Sequence, residues 1–367
     1  MISKKLSEIK EVCEEICWKN RLSGTKGNKD TRSFIKKYLK EKGFKVFTET
    51  FSVSKSIPLS AVIKTKEKEY PAWPLVGSLW GEVSGEVKVS KELGEENLKG
   101  KVVAMPVGGM RDSEKARILR DKKASALITY MEELNVNFSG TIGDVKFFAV
   151  NTTKEVIKEI EGKEVIIRIK TQKREIKGEN IYVEFGRGPI VCLVAHYDTK
   201  PFVYGAIDNA LSVSLLLVLA KELVKYDELP FRIRILFTDC EELGLEGSYR
   251  HAINSKNILY VINLDSVGWK NPAVIYKDIK GFNGKIINEK FMKHVNDMKV
   301  NIAFVESKTG ASDHIPFKER GIETLFLSSN PFTIRHTHLD DYFAIDWDIV
   351  GMWYETVSYF VRRIHRL

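Results

Sequence analysis

Histidine and acidic residues stand together directly after an apolar run in this chain. Residues 191–195 are apolar, and they are followed by His196, Tyr197 and Asp198 and then by a loop with Pro and Gly that ends at Asp208. An apolar run that breaks abruptly into charge is typical of a buried parallel strand followed by a loop. Imidazole and carboxylate groups at the end of such a strand are the ligands that an α/β sheet offers to a metal ion. The stretch therefore predicts a divalent metal site.

The same combination of residue types recurs further along the chain, again at or just beyond predicted strand ends. An unpaired charge is costly next to a buried strand, so we interpret these residues as one site and not as unrelated surface or capping residues. The motifs are FTDCEELGLEGS with Glu241 and Glu242, VINLDSVG with Asp265, GASDHIPF with Asp313 and His314, and RHTHLDD with His336, His338, Asp340 and Asp341.

These motifs supply the ligands of a pair of divalent ions. Two such ions about 3.5–4 Å apart share one bridging carboxylate and need roughly two further ligands each. The predicted set is Asp208 as the bridge, His196 and Glu242 for one ion, and Asp265 and His336 for the other. Glu241 is left over beside a ligand, which is where a general base for an activated water belongs. Carboxylate oxygens and imidazole nitrogens without a competing thiol suit hard or borderline divalent ions.

The elements that must position these groups form an α/β pattern. Beyond residue 177 predicted strands alternate with predicted helices, which is the pattern of a mostly parallel, twisted sheet flanked by helices. The strands are predicted at 180–184, 190–195, 232–238, 258–264, 273–276, 302–305 and 323–327, and the helices at 209–225, 247–254, 286–297 and 347–364. The motifs then fall at the same edge of the sheet.

The stretch between the first helices and this sheet has a different character. From about residue 56, short β-like runs lie between Gly and Pro turns, with one clear helix predicted at 113–123. The order GKVVAMPVGG, EKARILRDKKASALITY and FFAVN resembles the protease-associated domain that many exopeptidases carry as an insertion. We therefore predict an inserted small β-rich domain at 56–172, between an amino-terminal part at 1–55 and the metal-bearing part at 173–367. The insertion holds no catalytic constellation and is interpreted as a structural element or a lid.

Length and composition limit the classes of protein to which this chain can belong. A chain of 367 residues is longer than one hydrophobic core usually supports, so we expect two domains or one domain with a large insertion. The hydrophobic fraction of 43% is normal for a globular protein. The net charge of +9 is spread over Lys-rich surfaces without a dense basic block, so a nucleic-acid partner is not predicted. The amino end lacks the apolar core of a signal peptide, and the run 215–220 is too short to cross a membrane. The four cysteines show no disulfide framework, so we expect a cytoplasmic protein without a membrane partner.

Taken together, the motifs resemble one family of enzymes. HYD, GAIDN, EELGLEGS, NLD, SDHIPF and HTHLD occur in the order found in the co-catalytic zinc exopeptidases, which include bacterial leucyl aminopeptidases and glutamate carboxypeptidases. The resemblance is strong over 177–367, moderate over the insertion and weak at RLSGTKGN near the start. It implies the same five metal ligands and the same base, Glu241. It also implies that Asp198 orients the His196 ring.

The chain departs from that family at a few positions. Many members have a tyrosine three residues before the Ser of SDH that stabilises the tetrahedral oxyanion, and Thr309 stands there instead. Stabilisation of the oxyanion would then fall to His314, to a tyrosine from elsewhere in the chain, or to zinc alone. His338 lies too close to His336 for both to bind one ion in an extended loop, so we expect it on the surface or facing substrate. Asp340 and Asp341 are expected to be loop or supporting groups.

The predicted activity is metal-dependent hydrolysis of a peptide substrate, with release of the N-terminal residue preferred. A carboxypeptidase or dipeptidase would use the same metals, and a glutaminyl-cyclase-like acyltransferase would share the fold but work with one zinc. A non-enzymatic, receptor-like relative would have lost its ligands, and none is lost here. The sequence leaves open which residue is preferred and whether the chain forms a homo-oligomer.

Overall fold

The helices and strands follow the predicted α/β order. The computed structural model describes residues 2–94, 97–226, 228–308 and 310–367. Its helices are α1 (Ile2–Cys17), α2 (Lys26–Glu41), α3 (Asp112–Asp121), α4 (Lys154–Ile160), α5 (Leu211–Leu223), α6 (Glu246–Asn254), α7 (Lys285–Met298), α8 (Ile315–Lys318) and α9 (Trp347–Arg363). A short 3₁₀ turn at Tyr342–Ala344 precedes α9.

The strands pair into one extended mixed sheet. They are β1 (Val46–Lys64), β2 (Glu69–Pro74), β3 (Gly81–Val89), β4 (Val102–Pro106), β5 (Ala126–Tyr130), β6 (Ala149–Asn151), β7 (Glu164–Phe185), β8 (Ile190–His196), β9 (Arg232–Thr238), β10 (Ile258–Leu264), β11 (Pro272–Asp278), β12 (Gly281–Phe282), β13 (Ala303–Glu306) and β14 (Glu323–Ser329). Their order is β1-β2-β6-β5-β4-β3-β7-β9-β8-β10-β14-β11-β12, with β13 beside β11.

Four neighbouring parallel strands form the part of the sheet that carries the site. In the order β9-β8-β10-β14 they run parallel, while β7 and β11 pair antiparallel on the two sides. His196 on β8 lies opposite Thr238 on β9, and Leu264 on β10 lies opposite Leu327 on β14. This register brings the carboxyl ends of all four strands to one edge, as the sequence pattern predicts.

The main core lies under this sheet, around helix α5. Its sequence LSVSLLLVLAKEL is apolar on every face, and nearly all of its residues are buried. A helix that is apolar all round needs partners on all sides, and α5 contacts β8, α1 and α9. The β8 sequence IVCLVAH is buried along its whole length, as expected for a strand covered on both faces. The burial of α5 fixes the segment just before it, which carries Asp208.

Two long strands connect this sheet to the middle of the chain. β1 and β7 form an antiparallel ribbon from the pair Val46 and Val183 to the pair Lys64 and Ile166. One end of β7 pairs with β9, and its other end pairs with β3. The stretch between the two strands has hydrophobic clusters of its own, one including Ile63 and Ile128 and another including Leu75 and Leu119.

The predicted domain limits fall inside that ribbon. Residues 55 and 56 lie within β1, and residues 172 and 173 lie within β7, because both strands continue through these positions. The division into an inserted domain and a surrounding domain therefore stays a prediction. Within the described chain, no helix has the length and apolar character that a membrane crossing requires.

Candidate active site

The first group of possible ligands forms where β8 and β10 end. His196 is the last residue of β8 and is 1% exposed. Its Nε2 lies 3.2 Å from Asp208 Oδ1 and 3.9 Å from Asp265 Oδ1. Asp208 comes from the turn that leads into α5, and Asp265 directly follows β10. The Glu241 carboxyl completes this group.

The second group forms on the other oxygen of Asp208. His336 Nε2 lies 3.1 Å from Asp208 Oδ2 and 3.3 Å from Glu242 Oε1. Asp208 thus presents one carboxylate oxygen to each imidazole. That is the arrangement of a bridging carboxylate.

This grouping corrects the predicted pairing of the ligands. The prediction placed His196 with Glu242 and Asp265 with His336, whereas the structure places His196 with Asp265 and Glu242 with His336. The reason is the strand order, since β10 lies beside β8 and delivers Asp265 next to His196. Glu242 lies in the turn after β9, in which the backbone N–H groups of Gly244 and Leu245 donate to the Glu241 carbonyl. This turn carries Glu242 towards His336.

The donor set fits divalent cations. His196 Nε2 and Glu242 Oε1 are buried atoms that have no hydrogen-bond partner among the residues that the structure describes. Several carboxylates converge on these imidazoles in a buried space, where uncompensated negative charge is strongly unfavourable. Carboxylate oxygens and imidazole nitrogens are the ligands that Zn²⁺ takes in proteins.

Glu241 and Glu242 are neighbours in sequence but lie in different electrostatic environments. Burial alone would raise the pKa of Glu242, but the charges of Lys200 and His336 outweigh it and bring the pKa to about 2. Lys200 Nζ lies 2.8 Å from Glu242 Oε2 and is itself buried. Burial raises the pKa of the Glu241 carboxyl well above its ordinary value, and the charge of His196 opposes this rise. Glu241 lines the cavity and therefore combines access to substrate with a raised proton affinity.

Asp198 contacts both the His196 ring and the acidic pair. The closest oxygen to His196 Nδ1 is the backbone carbonyl of Asp198 at 3.2 Å, while its carboxylate oxygen Oδ1 lies at 3.6 Å. The carboxylate accepts the backbone N–H groups of Glu241 and Glu242, both at 3.1 Å, and the Ser23 hydroxyl at 3.2 Å. The side chain of Asp198 thus holds the acidic pair, and its backbone orients the His196 ring.

The amino-terminal motif RLSGTKGN reaches the site, which the sequence interpretation did not anticipate. The Ser23 hydroxyl also lies 2.8 Å from Asp239 Oδ1, so it links two buried carboxylates. Arg21 is fully buried and donates to the carbonyls of Tyr197, Tyr204 and Gly205, which lie in the loop before Asp208. The weak resemblance at this motif was the available signal for these contacts. No comparable signal pointed to Lys200.

His314 does not take the predicted place near the oxyanion. It is fully buried, its Nε2 lies 2.8 Å from Asp278 Oδ2, and its ring stacks on Phe326 with centroids 4.3 Å apart. It is absent from the described cavity lining. The apolar residues that follow it form α8, which packs the imidazole into the core. Thr309, the predicted departure from the family, lies outside the described residues.

The other acidic and histidine residues of the last motif act in the loop. Asp340 is buried and accepts the backbone N–H groups of Ile207 at 2.7 Å and Asp208 at 3.1 Å, so it supports the bridging ligand. Asp341 accepts the N–H groups of Phe343 and Ala344 and caps the 3₁₀ turn. His338 is exposed. These placements agree with the supporting and surface positions expected for them.

A cavity of about 870 Å³ opens above these groups. Asp208, Glu241, Glu242, Asp265 and His336 form its floor, and much of its wall comes from the middle of the chain. That wall includes apolar side chains at Leu79, Val107, Met110, Met131 and Phe138. A concave site with an apolar wall and a polar floor is suited to bind a small organic substrate.

Comparison with known proteins agrees with this geometry. Residues 180–361 match the model of peptidase family M28, and this range contains every residue of the two ligand groups. This part of the chain belongs to peptidase family M28. Aminopeptidase YwaD of Bacillus subtilis (strain 168) is 28% identical over 255 residues, or 64% of this chain, and this chain spans 55% of that relative's length.

Solved structures extend the similarity beyond the range of the family model. The fold resembles BSAP, a zinc aminopeptidase from Bacillus subtilis, with a TM-score of 0.77 and 22% identity over 97% of this chain and 93% of that one. It also resembles an aminopeptidase from Aneurinibacillus sp. strain AM-1, with a TM-score of 0.75 and 20% identity over 99% of this chain and 95% of that one. The shared fold therefore includes the middle of the chain as well as the metal-bearing part.

Proposed function

We propose that this M28 member is a zinc-dependent exopeptidase that removes N-terminal residues from peptides. The observation that carries the proposal is the pair of ligand groups that share Asp208 at the floor of the cavity, with Glu241 beside them. The similar proteins are aminopeptidases, which supports the choice of the peptide's amino end.

Each group is proposed to hold one ion. His196 and Asp265 would hold the first, Glu242 and His336 would hold the second, and Asp208 would bridge them. Zinc ions bound there would supply Lewis acidity, which acidifies water and polarises a carbonyl group.

The protein's own groups move the proton and fix the geometry. Glu241 takes a proton from the attacking water and delivers it to the leaving amine, which requires a carboxylate with raised proton affinity. The Asp198 carboxylate fixes the backbone of Glu241, and so keeps the base in position. The apolar wall excludes bulk water from the bound peptide.

The middle of the chain is proposed to act as an inserted domain that limits the access of peptide substrates to the cavity. Residues within 56–172 have their own hydrophobic clusters and supply much of the cavity wall. Such a wall limits how far a substrate can extend beyond the metals, which favours the ends of peptides over internal bonds.

Metal analysis combined with a peptide panel tests the proposal. The protein is stripped of metal, titrated with Zn²⁺, and assayed on peptides with free or blocked amino and carboxyl ends. We expect two zinc ions per chain, and cleavage that requires a free amino end. Cleavage that requires a free carboxyl end instead would indicate a carboxypeptidase. A single zinc with cyclisation of an N-terminal glutamine would indicate the glutaminyl-cyclase-like alternative.

A further inference from the structure

Arg335 stands directly before the possible ligand His336, at the tip of a tight turn. The Ile334 carbonyl accepts the Thr337 N–H at 3.2 Å and the Thr337 hydroxyl at 2.6 Å. Ile334 and Thr337 are buried, while residues 335 and 336 form the centre of the turn, with His336 at φ +60°. Because the turn is anchored on both sides, the position of Arg335 relative to the floor of the cavity is fixed.

The charge of Arg335 lies at the wall of the cavity. Arg335 lines the cavity and is half-buried, and its guanidinium makes no hydrogen bond or ion pair with any residue that the structure describes. Two other cations of the same lining are paired, Lys55 with Glu246 at 2.9 Å and Arg111 with Glu114 at 3.0 Å. Lys146 also lacks a described partner, but it is exposed to solvent, whereas Arg335 is half-buried.

Arg335 is not needed to balance the charge of the floor. Glu242 already has Lys200 and His336 as partners. Two divalent ions would compensate the charge of the four floor carboxylates, which are Asp208, Glu241, Glu242 and Asp265. A guanidinium carries five N–H donors, and leaving them unmatched in a partly desolvated wall is unfavourable. The guanidinium of Arg335 is therefore available to pair with a group from outside the protein.

We propose that Arg335 binds a carboxylate of the peptide substrate and selects peptides that carry one near the cleaved bond. This inference rests on the proposed exopeptidase function and adds a substrate class to it. The planar guanidinium matches a carboxylate through two parallel hydrogen bonds. Two parts of a peptide can supply that group. One is the C-terminal carboxylate of a dipeptide, about 7 Å from its amino end, and the other is an acidic side chain.

Four substrates separate these two sources. Leu-Gly is compared with Leu-Gly amide, which lacks the terminal carboxylate, and Glu-p-nitroanilide is compared with Leu-p-nitroanilide, which lacks the acidic side chain. The variants are Arg335→Gln, which removes the charge, and Arg335→Lys, which keeps it. Arg111→Gln is the matched control, because Arg111 lines the same cavity but is already paired with Glu114.

We expect Arg335→Gln to raise KM for the substrate with the relevant carboxylate about 10- to 100-fold, the range of a lost charge-assisted hydrogen bond. KM and kcat for the carboxylate-free partner should stay within about twofold, Arg335→Lys should recover part of the loss, and Arg111→Gln should resemble the wild type. A rise confined to Leu-Gly assigns the C-terminal carboxylate, and one confined to Glu-p-nitroanilide assigns the side chain.

Two other results overturn the inference. In one, Arg335→Gln leaves all four substrates unchanged. In the other, the substitution impairs substrates with and without a carboxylate equally. That result would mean that Arg335 holds His336 in position, if zinc is also lost, or contributes to catalysis, if zinc is retained. If the wild-type protein cleaves none of the four substrates, the proposed exopeptidase function is contradicted, and the inference that rests on it is contradicted as well.

Discussion

At the scale of single residues, two adjacent glutamates lie in environments that suit the different roles proposed for them. Glu242 is held by Lys200 and His336, which keep its pKa near 2 and its carboxylate ionised as a ligand must be. Glu241 lines the cavity without a described side-chain hydrogen bond, and burial raises its pKa. Environments that separate the proton affinities of two neighbouring acids are the usual sign of different roles.

Replacing Glu241 with Gln should separate the base from the ligands. We expect kcat to fall about 10²- to 10⁴-fold, because the amide cannot accept a proton from the attacking water, while the zinc content stays unchanged. Steady-state kinetics and elemental analysis of the same desalted sample measure the two quantities. Glu246→Gln is the matched control, since Glu246 lies in the same cavity lining but pairs with Lys55. Loss of zinc together with activity would show that Glu241 is a ligand.

The residue types of the site were predictable, but their neighbours in space were not. An ionisable group after a buried strand is conspicuous in sequence, so His196, Asp208 and Asp265 could be identified as possible ligands. The pairing of carboxylates with imidazoles depends on the strand order and on the path of the turn after β9. The hydrophobic period of the sequence gives information on neither. The prediction for His314 failed for a related reason, because its partner Asp278 lies on β11, far away in sequence.

At the scale of elements, a loop from the middle of the chain contacts a possible metal ligand directly. The Ser139 N–H donates to the His336 carbonyl at 2.8 Å, and the Phe138 ring lies 5.5 Å from the His336 ring. This loop is in turn held by its own surroundings, since the Phe138 N–H donates to Asn151 Oδ1 at 2.7 Å. The middle region therefore supports the second ligand group as well as forming the wall of the cavity.

Replacing Phe138 with Ala should weaken the half of the site that contains His336. Because the imidazole loses the ring that packs beside it, we expect the affinity for one zinc ion to fall about tenfold, while the other ion is held as before. Competition of the apo-protein with a chromophoric zinc chelator measures the two affinities. Met131→Ala is the control, because Met131 lines the same cavity with no described ring contact to His336. Equal effects of the two substitutions would mean that the loop shapes the cavity without supporting the ligand.

Elements with a strong hydrophobic period in the sequence were predictable. A very short helix, and two strands that run through the predicted domain limits, were not. Helix α9 was predicted at 347–364 and the structure has Trp347–Arg363, because its apolar stripe and the cap at Asp346 define it locally. The four-residue helix α8 has too few residues for a period to show. The ribbon of β1 and β7 crosses the predicted domain limits because a change in composition does not have to coincide with the end of a strand.

At the scale of the whole molecule, the fold gathers negative charge at one edge of its sheet. Asp198, Asp208, Asp239, Asp265, Asp313, Glu241 and Glu242 are all buried there. Folding without cations must bring these carboxylates together against their mutual repulsion and out of water. The prediction of an α/β fold of the zinc exopeptidase type is confirmed by the related structures, and this edge is where that fold concentrates its electrostatic cost.

Removing the metal should therefore lower the stability of the whole chain. Ions that bind the folded state alone add RT ln(1 + [M]/Kd), which is about 4 kcal/mol at a thousandfold excess over Kd. We expect a chelator to lower the melting temperature measured by calorimetry and added Zn²⁺ to restore it. In Asp208→Asn the bridge is lost, so the response to zinc should shrink, and the apo form should melt no lower than the wild-type apo form because one buried charge has gone. If chelation leaves the wild-type melting temperature unchanged, or if Asp208→Asn responds to zinc as fully as the wild type, these carboxylates do not hold the cations proposed for them.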